Sequence, residues 1–320
     1  MGSNDLKNEN KHKTVEYGRY GYLFLAPFFV VFFIFQLFPL VYTFGNSFVQ
    51  TVKKGHNSVE TVVGLGNYTS YVFVKGSEVW SSIGITICLW LLNFIPQILL
   101  SLLLAAWFTD IQCKLKGQGA YKVIMYMPNI ITAASIAFLF NALFSVQGTI
   151  TLMMKRVGIP IPDGGLLDHG WASLFIIAFI QFWMWYGNTM IVLIAGIMGI
   201  SPSLYEAAMV DGASSRQQFF KITVPLLKPI LQFTMVTSAI GGLQMYDIPQ
   251  LFNKGGPVVN YKGSAINSTT TIVMTIKKYV ENGSGQNVGR ASAYSVVLFI
   301  ITLAVSMVFY VLTSEKKESR

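Results

Sequence analysis

Side chains able to carry out covalent or metal chemistry are few in this sequence and poorly spaced for it. The three histidines, His12, His56 and His169, are scattered, and no His-x3-His pair sets two ligands on one helical face. A loop that cradles phosphate reads Gly-x4-Gly-Lys-Ser/Thr; the nearest stretch, Gly283 to Arg290, has other spacing and no lysine. Gly-x-Ser-x-Gly, the turn that presents a nucleophilic serine, does not occur. No two acids share an apolar run, which leaves a proton relay nothing to hand along. Cys88 lies in an apolar run and Cys113 in a short polar loop, too differently placed to pair. The sequence thus holds no catalytic constellation and no metal site. It reads as a protein that is not an enzyme and has no cofactor in this chain.

What it does hold is uncharged polar side chains inside apolar runs. Gln181, Trp185 and Asn188 are separated by four and three residues, which sets them on one helical face. Amides beside an aromatic ring suit a polar, uncharged solute. The same amides serve equally well as hydrogen-bonding partners between helices, and Trp185 as packing or an interfacial anchor. In another run Gly241-Gly242 thins the helix wall, and Gln244, Tyr246 and Asp247 follow. Asp247 either ends its helix at the membrane interface or lines a pathway.

The elements carrying these residues follow from where charge is missing. Of 320 residues, 53% are apolar, 14% aromatic and only 12% charged, with a mean hydropathy of +0.53. A soluble domain carries roughly twice that share of charge, and disorder needs low hydrophobicity with high charge, so a membrane protein fits. Apolar runs almost free of charge cover residues 22–44, 83–108, 123–145, 172–198, 229–248 and 291–313. Each reaches the roughly 20 helical residues that a hydrocarbon core of about 30 Å requires. Backbone in lipid must bond to itself, so these are helices; a β-barrel would show short alternating segments. The first run is too long for a signal peptide and lacks its cleavage pattern, so it reads as a retained span. The expectation is an all-α integral membrane protein with six transmembrane helices in one domain, 22–314, between tails at 1–21 and 315–320.

An even number of spans puts both termini on one side. Lys and Arg are densest in the tails and the short loop 109–121, which places both termini in the cytoplasm of a multi-pass cell-membrane protein. Lys254, Lys262, Lys277, Lys278 and Arg290 then lie outside in a long loop, as solvated charge. The net charge of +9 reflects topology and contact with the lipid bilayer. No basic stripe interleaved with aromatics points to nucleic acid. Asn67, Asn267 and Asn282 open Asn-x-Ser/Thr triplets of a kind that arises by chance.

The loop 200–228 is the informative one. Ser201 can cap a short helix with Pro202 at its first position. Leu204, Ala207 and Ala208 recur at helical spacing, and the alanines leave a flat face. Gly212 supplies positive φ at a bend. Ser214 or Ser215 starts a second helix with an apolar stripe of Phe219, Phe220 and Ile222, and Pro225 ends it. On physics alone this hairpin is either an interfacial connector or a handle built to be gripped.

Its residues decide between the two by likeness. Glu206-Ala207-Ala208, three residues, Gly212, nine residues, then Ile222-Thr-Val-Pro225 resembles the EAA box of binding-protein-dependent ABC importer permeases, with Val224 where that family has Leu. Asp211-Gly212-Ala213 and the preceding Leu204-Tyr205 resemble the carbohydrate branch. So do Gly21-Tyr-Leu-Phe-Leu-Ala-Pro27, Val63-Gly-Leu-Gly-Asn-Tyr68, Phe252-Asn-Lys-Gly-Gly-Pro257 and Gly289-Arg-Ala-Ser-Ala-Tyr-Ser295, in order along nearly the whole chain. The loop through Val258–Thr271 is longer than that pattern.

The resemblance implies a type I importer permease (MetI-like) fold with cytoplasmic coupling helices, most similar to the larger maltose-type half. It implies that Glu206, Ala207, Ala208, Asp211, Gly212, Ile222 and Pro225 form the surface gripped by a cytoplasmic ABC ATPase dimer, with Glu206 facing a basic residue of that ATPase. ATP and Mg would reside there, not in this chain. It further implies a second permease subunit, forming a heterodimer, and an extracytoplasmic solute-binding protein. Counting back from the box adds Asn129 to Gln181, Trp185, Asn188, Gln244, Tyr246 and Asp247 as sugar contacts. Oligosaccharide import is the expected function. Import of glycerol phosphate or a related polyol derivative is the alternative, and a secondary carrier is the more distant one.

Overall fold

The computed structural model describes residues 18–54, 57–110, 116–162, 164–261, 264–281 and 285–313. Most of both expected tails, with His12, His56, Cys113 and Asn282, lies outside them.

The chain opens with α1 (Gly18–Phe32), which passes through a π-helical turn (Phe33–Leu37) into α2 (Phe38–Asn46). Pro39 accounts for the widened turn: it has no N–H to give and its ring crowds the carbonyl four residues back. This helix is the expected first span, yet it buries none of its apolar window. Tyr22, Phe24 and Phe35 face outward, a surface suited to lipid or another membrane chain. Its far end meets the last helix through an edge-on contact of Phe44 with Phe299, 5.6 Å between ring centres.

An antiparallel hairpin follows, β1 (Val49–Lys54) with β2 (Asn57–Val62), in the register Val49↔Val62. Asn67 closes it by donating from Nδ2 to the carbonyls of Ser47 (2.8 Å) and Val49 (3.0 Å). Asn67 is buried and is thus a structural residue, not an exposed acceptor for a glycan.

The body is built on α3 (Glu78–Thr109) packed along α7 (Gly170–Met198). In lipid the apolar effect between helices is absent, so small residues and interhelical hydrogen bonds do the joining. Gln97 Nε2 donates to Thr189 Oγ1 at 2.7 Å, and Ser101 Oγ donates to the Tyr186 carbonyl at 2.7 Å. Such bonds contribute about 0.6 kcal/mol each on average. Leu104, Ala105, Phe108, Met190 and Leu193 pack at the end nearest loop 200–228. Leu89, Ile177, Ile180 and Met184 pack at mid-depth.

The third expected span, 123–145, is two helices, α4 (Gln118–Ile130) and α5 (Ala133–Phe144), parted at Ile131–Thr132. Pro128 lies within α4, and the break comes three residues after it, where Thr132 caps α5 from its side chain. α6 (Thr149–Arg156) continues from α5. Gly187 lets α4 approach α7: a Cβ there would sit 2.3 Å from the Met125 carbonyl oxygen.

After loop 200–228 come α11 (Lys228–Leu243) and α12 (Asp247–Asn253), then the hairpin β3 (Val258–Tyr261) and β4 (Ser264–Asn267) in the register Val258↔Asn267, α13 (Ile272–Glu281) and α14 (Gly285–Thr313). α14 packs on α11 and α13. Among the described residues, five helices are long and apolar enough to cross a membrane, or six when the pair 215–226 and 228–253, bent by 66°, is one span. The membrane part is all helical; both β hairpins lie between spans, where water can satisfy their edges.

Three of the basic residues read as solvated loop charge are paired instead, Lys277 with Glu281 at 3.4 Å. Lys278 and Arg290 reach the Glu78 carboxylate at 3.2 and 2.7 Å.

Candidate functional site

Two regions hold the residues singled out above. The first is a cavity of about 410 Å³ between α3, α7 and α11. α7 contributes Gln181, Trp185 and Asn188, the face set by their four-and-three spacing. The other wall is α11 with the stretch 244–246 and the start of α12, supplying Gln244, Tyr246 and Asp247.

That second wall exists because the fifth span does not run on as one helix. Helix ends at Leu243, just after Gly241-Gly242, and Tyr246, at φ −136° and ψ −52°, leaves the helical conformation before the chain starts afresh. Asp247 therefore opens α12, where an acid suits the helix dipole, and does not end the preceding helix. The carbonyls freed by the break need partners in lipid; Thr271 Oγ1 donates to the Met245 carbonyl at 2.8 Å.

Asn129 is not brought into the cavity. Its Nδ2 donates to the Met184 carbonyl at 3.3 Å and ties α4 to α7. In its place stand Asn93 and Gln97 on α3, with Thr189, Thr234, Thr237 and Ser238. Asn93 and Gln97 are four residues apart in an uncharged run, the same pattern that marked Gln181 and Asn188, and that signal was available. Trp90 forms part of the lining, stacked on Phe94 with ring centres 5.5 Å apart. The lining carries amides, hydroxyls and three aromatic rings of Trp and Tyr, and among the described residues Asp247 is its one Asp, Glu, Lys, Arg or His. Such a set recognises hydroxyl-rich, uncharged molecules by hydrogen bonds and ring faces.

At the lip of the cavity Lys277 Nζ donates to Tyr246 Oη at 2.6 Å and lies 4.4 Å from that ring's centre. The hydrogen bond to Tyr246 pushes the Lys277 pKa above the ordinary lysine value; partial desolvation opposes it, and the Glu281 charge adds to it. Lys277 is thus a cation throughout the physiological range. Among the described residues, no three His, Cys, Asp or Glu side chains cluster as metal ligands would.

The second region is the hairpin. α8 (Pro202–Val210) has Ser201 at its cap position, but Ser201 Oγ bonds Ser203 Oγ at 2.8 Å and caps no backbone N–H. α8 ends as expected: Gly212 has φ +75°, and the N–H of Ala213 reaches back to the Ala208 carbonyl at 2.8 Å. Ser214 caps α9 (Ser215–Gln218) in a reciprocal box with Gln217. Pro225 does not end this second helix. A π-helical turn (Phe219–Thr223) precedes it, and α10 (Val224–Leu226) carries the helix past it to the bend at Leu227. The wider turn removes the clash that proline makes in a regular α-helix. Tyr205 Oη and Thr223 Oγ1, 2.9 Å apart, clasp the two helices. Glu206, Ala207, Asp211 and Gly212 are exposed; Ala208, Ile222 and Pro225 are half-buried.

The family described as binding-protein-dependent transport system inner membrane component matches residues 76–315. The lactose transport system permease protein LacF of Rhizobium radiobacter is 29% identical over 291 residues, covering 91% of each chain. The trehalose/maltose transport system permease protein MalF of Thermococcus litoralis is 27% identical over 315 residues, 96% of each chain. Among solved structures, a chain of a bacterial alginate ABC transporter in complex with alginate pentasaccharide-bound periplasmic protein aligns with a TM-score of 0.72 at 20% identity, over 95% of this chain and 97% of that one; this likeness concerns the fold.

Proposed function

The chain belongs to the binding-protein-dependent transport system inner membrane components, and from that premise we propose that it is one permease half of an ATP-driven importer for a neutral oligosaccharide. The observation that carries the substrate class is the cavity: polar and aromatic side chains from three separate stretches of sequence converge on one space with a single carboxylate and no Lys, Arg or His in its lining. A phosphorylated polyol would meet Asp247 there with no fixed cation in the wall, so a neutral sugar is favoured over glycerol phosphate. The names of the lactose and trehalose/maltose relatives support the same class.

In this reading the domain 22–314 spans the membrane six times and the tails 1–21 and 315–320 are cytoplasmic. The hairpin 200–228 faces the cytoplasm and seats in an ABC ATPase dimer that holds ATP and Mg. A solute-binding protein loads the opposite face. The bare first helix suits pairing with a second permease subunit, which this reading takes to be a different chain. ATP closes the ATPases, the hairpins are drawn together, and the spans re-open the cavity outward; hydrolysis resets them.

The test is uptake by vesicles containing the complete importer, offered radiolabelled lactose, trehalose, maltose and arabinotriose, with unlabelled sn-glycerol 3-phosphate as competitor. The reading predicts accumulation of at least one sugar, not reduced by the competitor. Changing Gln181→Leu with Asn188→Leu is expected to lower uptake of that sugar about tenfold or more, since each unmet hydroxyl group costs about 1–3 kcal/mol. Unaltered uptake and selectivity would return both amides to helix packing.

A further inference from the structure

We infer that Lys277 is a positioning residue for transfer: its ammonium holds Tyr246 in place at the cavity lip, and α13 anchors that lip to the start of α3. The inference rests on the importer reading above and names a device within its site.

Tyr246 belongs to the stretch 244–246, where span five has no helical ladder. Nothing in local backbone geometry fixes the direction of its ring, so an outside contact must. Lys277 provides it twice, by the 2.6 Å hydrogen bond to Oη and by lying over the ring. Glu281, 3.4 Å from Nζ one helical turn on, steadies the lysine.

The neighbouring lysine on the same helix points elsewhere, because consecutive residues on a helix lie about 100° apart. Lys278 reaches Glu78, which also accepts from Arg290 and from the Tyr279 hydroxyl. The Arg290 guanidinium lies 4.0 Å from the Tyr279 ring centre and 4.8 Å from that of Tyr71. α13 is further rooted on α3 by Ser82 Oγ and Thr275 Oγ1, 2.7 Å apart, and by the Ile272 N–H donating to Thr86 Oγ1 at 2.9 Å. One short helix thus joins the clamp on Glu78, at the start of α3, to one aromatic ring of the cavity, through side chains adjacent in sequence. Arg290 and Tyr294 lie within the segment 289–295 that the cavity itself does not use.

The experiment measures sugar accumulated per ATP hydrolysed in vesicles holding the complete importer, with the panel sugar the wild type takes up. Lys277→Gln is expected to lower that ratio about fivefold, with ATP hydrolysis still stimulated by the loaded binding protein. Tyr246→Phe should do the same, the double variant should be no worse than either single one, and Lys277→Arg should restore most of the ratio. An unchanged ratio in Lys277→Gln, additive losses in the double variant, or parallel loss of ATP hydrolysis and uptake would each overturn the positioning role. Absence of wild-type uptake for every panel sugar would instead overturn the substrate reading, and this inference would fall with it.

Discussion

Replacing Gly212 with valine should lower ATP-driven uptake about five- to thirtyfold while the chain stays in the membrane at its normal level. The reason lies in the backbone. Gly212 sits at φ +75°, and a Cβ built there would meet no atom within 4 Å. Space is therefore not the obstacle; conformation is. A residue with a side chain pays roughly 1–2 kcal/mol in the left-handed region, and a β-branched one more. The turn at 212 fixes how α8 and α9 lie against each other, so a strained turn opens the hairpin proposed to seat in the ATPase. Gly212→Asn separates this from bulk, because asparagine tolerates the left-handed region and should keep most of the uptake. Measurements of uptake, ATP hydrolysis and membrane abundance on the same preparations check it. Full uptake by the valine variant would remove the hairpin from energy coupling.

Gly242→Ala should have the next largest effect, and here bulk is the cause. An added Cβ would sit 2.0 Å from Trp90 Cδ1. Trp90 is buried, stacked on Phe94 at 5.5 Å and met edge-on by Phe309 at 5.8 Å, so the ring cannot retreat into the core. It must swing into the cavity it lines. Overpacking of this kind costs about 1–3 kcal/mol, and the displaced indole takes up volume that solute needs. The variant should melt several degrees lower and accumulate sugar several-fold more slowly. Trp90→Phe in the same chain makes room for the methyl group and should recover the stability. If the single variant transports as the wild type does, the cavity wall at 242 does not bound the solute path.

What the sequence disclosed was local. The uncharged runs 22–44, 83–108, 172–198 and 291–313 each lie inside long helix, α1–α2, α3, α7 and α14, because hydropathy over some 20 residues is a property of one segment. Gly212 and Ser214 announced a bend and a cap, since both act on backbone within a few residues. The amide face of Gln181 and Asn188 was legible from helical spacing alone.

What stayed hidden needed partners remote in sequence. Glu78 and Arg290 meet across 212 positions, and no periodicity forecasts which basic residue of a loop will find an acid. Asn129 lies on α4, outside the cavity wall, and a carbonyl on α7 claims its amide. Pro225 looked like a terminator under the rule for regular helices, and a π-helical turn lets the chain pass it. Ser201 had the right type for a cap, and Ser203, two residues on, took its hydroxyl. Asn93 and Gln97 carry the same local signal on α3, amides one helical turn apart in an uncharged run.

The central claim is that this chain forms a passage but carries no means to drive it, and moves solute only when an ATPase works its hairpin. The most direct measurement is sugar accumulation in sealed vesicles containing the two permease subunits, with loaded binding protein outside, compared with and without the ATPase dimer and ATP inside. The account predicts accumulation against a gradient only when ATPase and ATP are both present, with Gly212→Val vesicles resembling those that lack ATP. Accumulation by the permease subunits alone would contradict it.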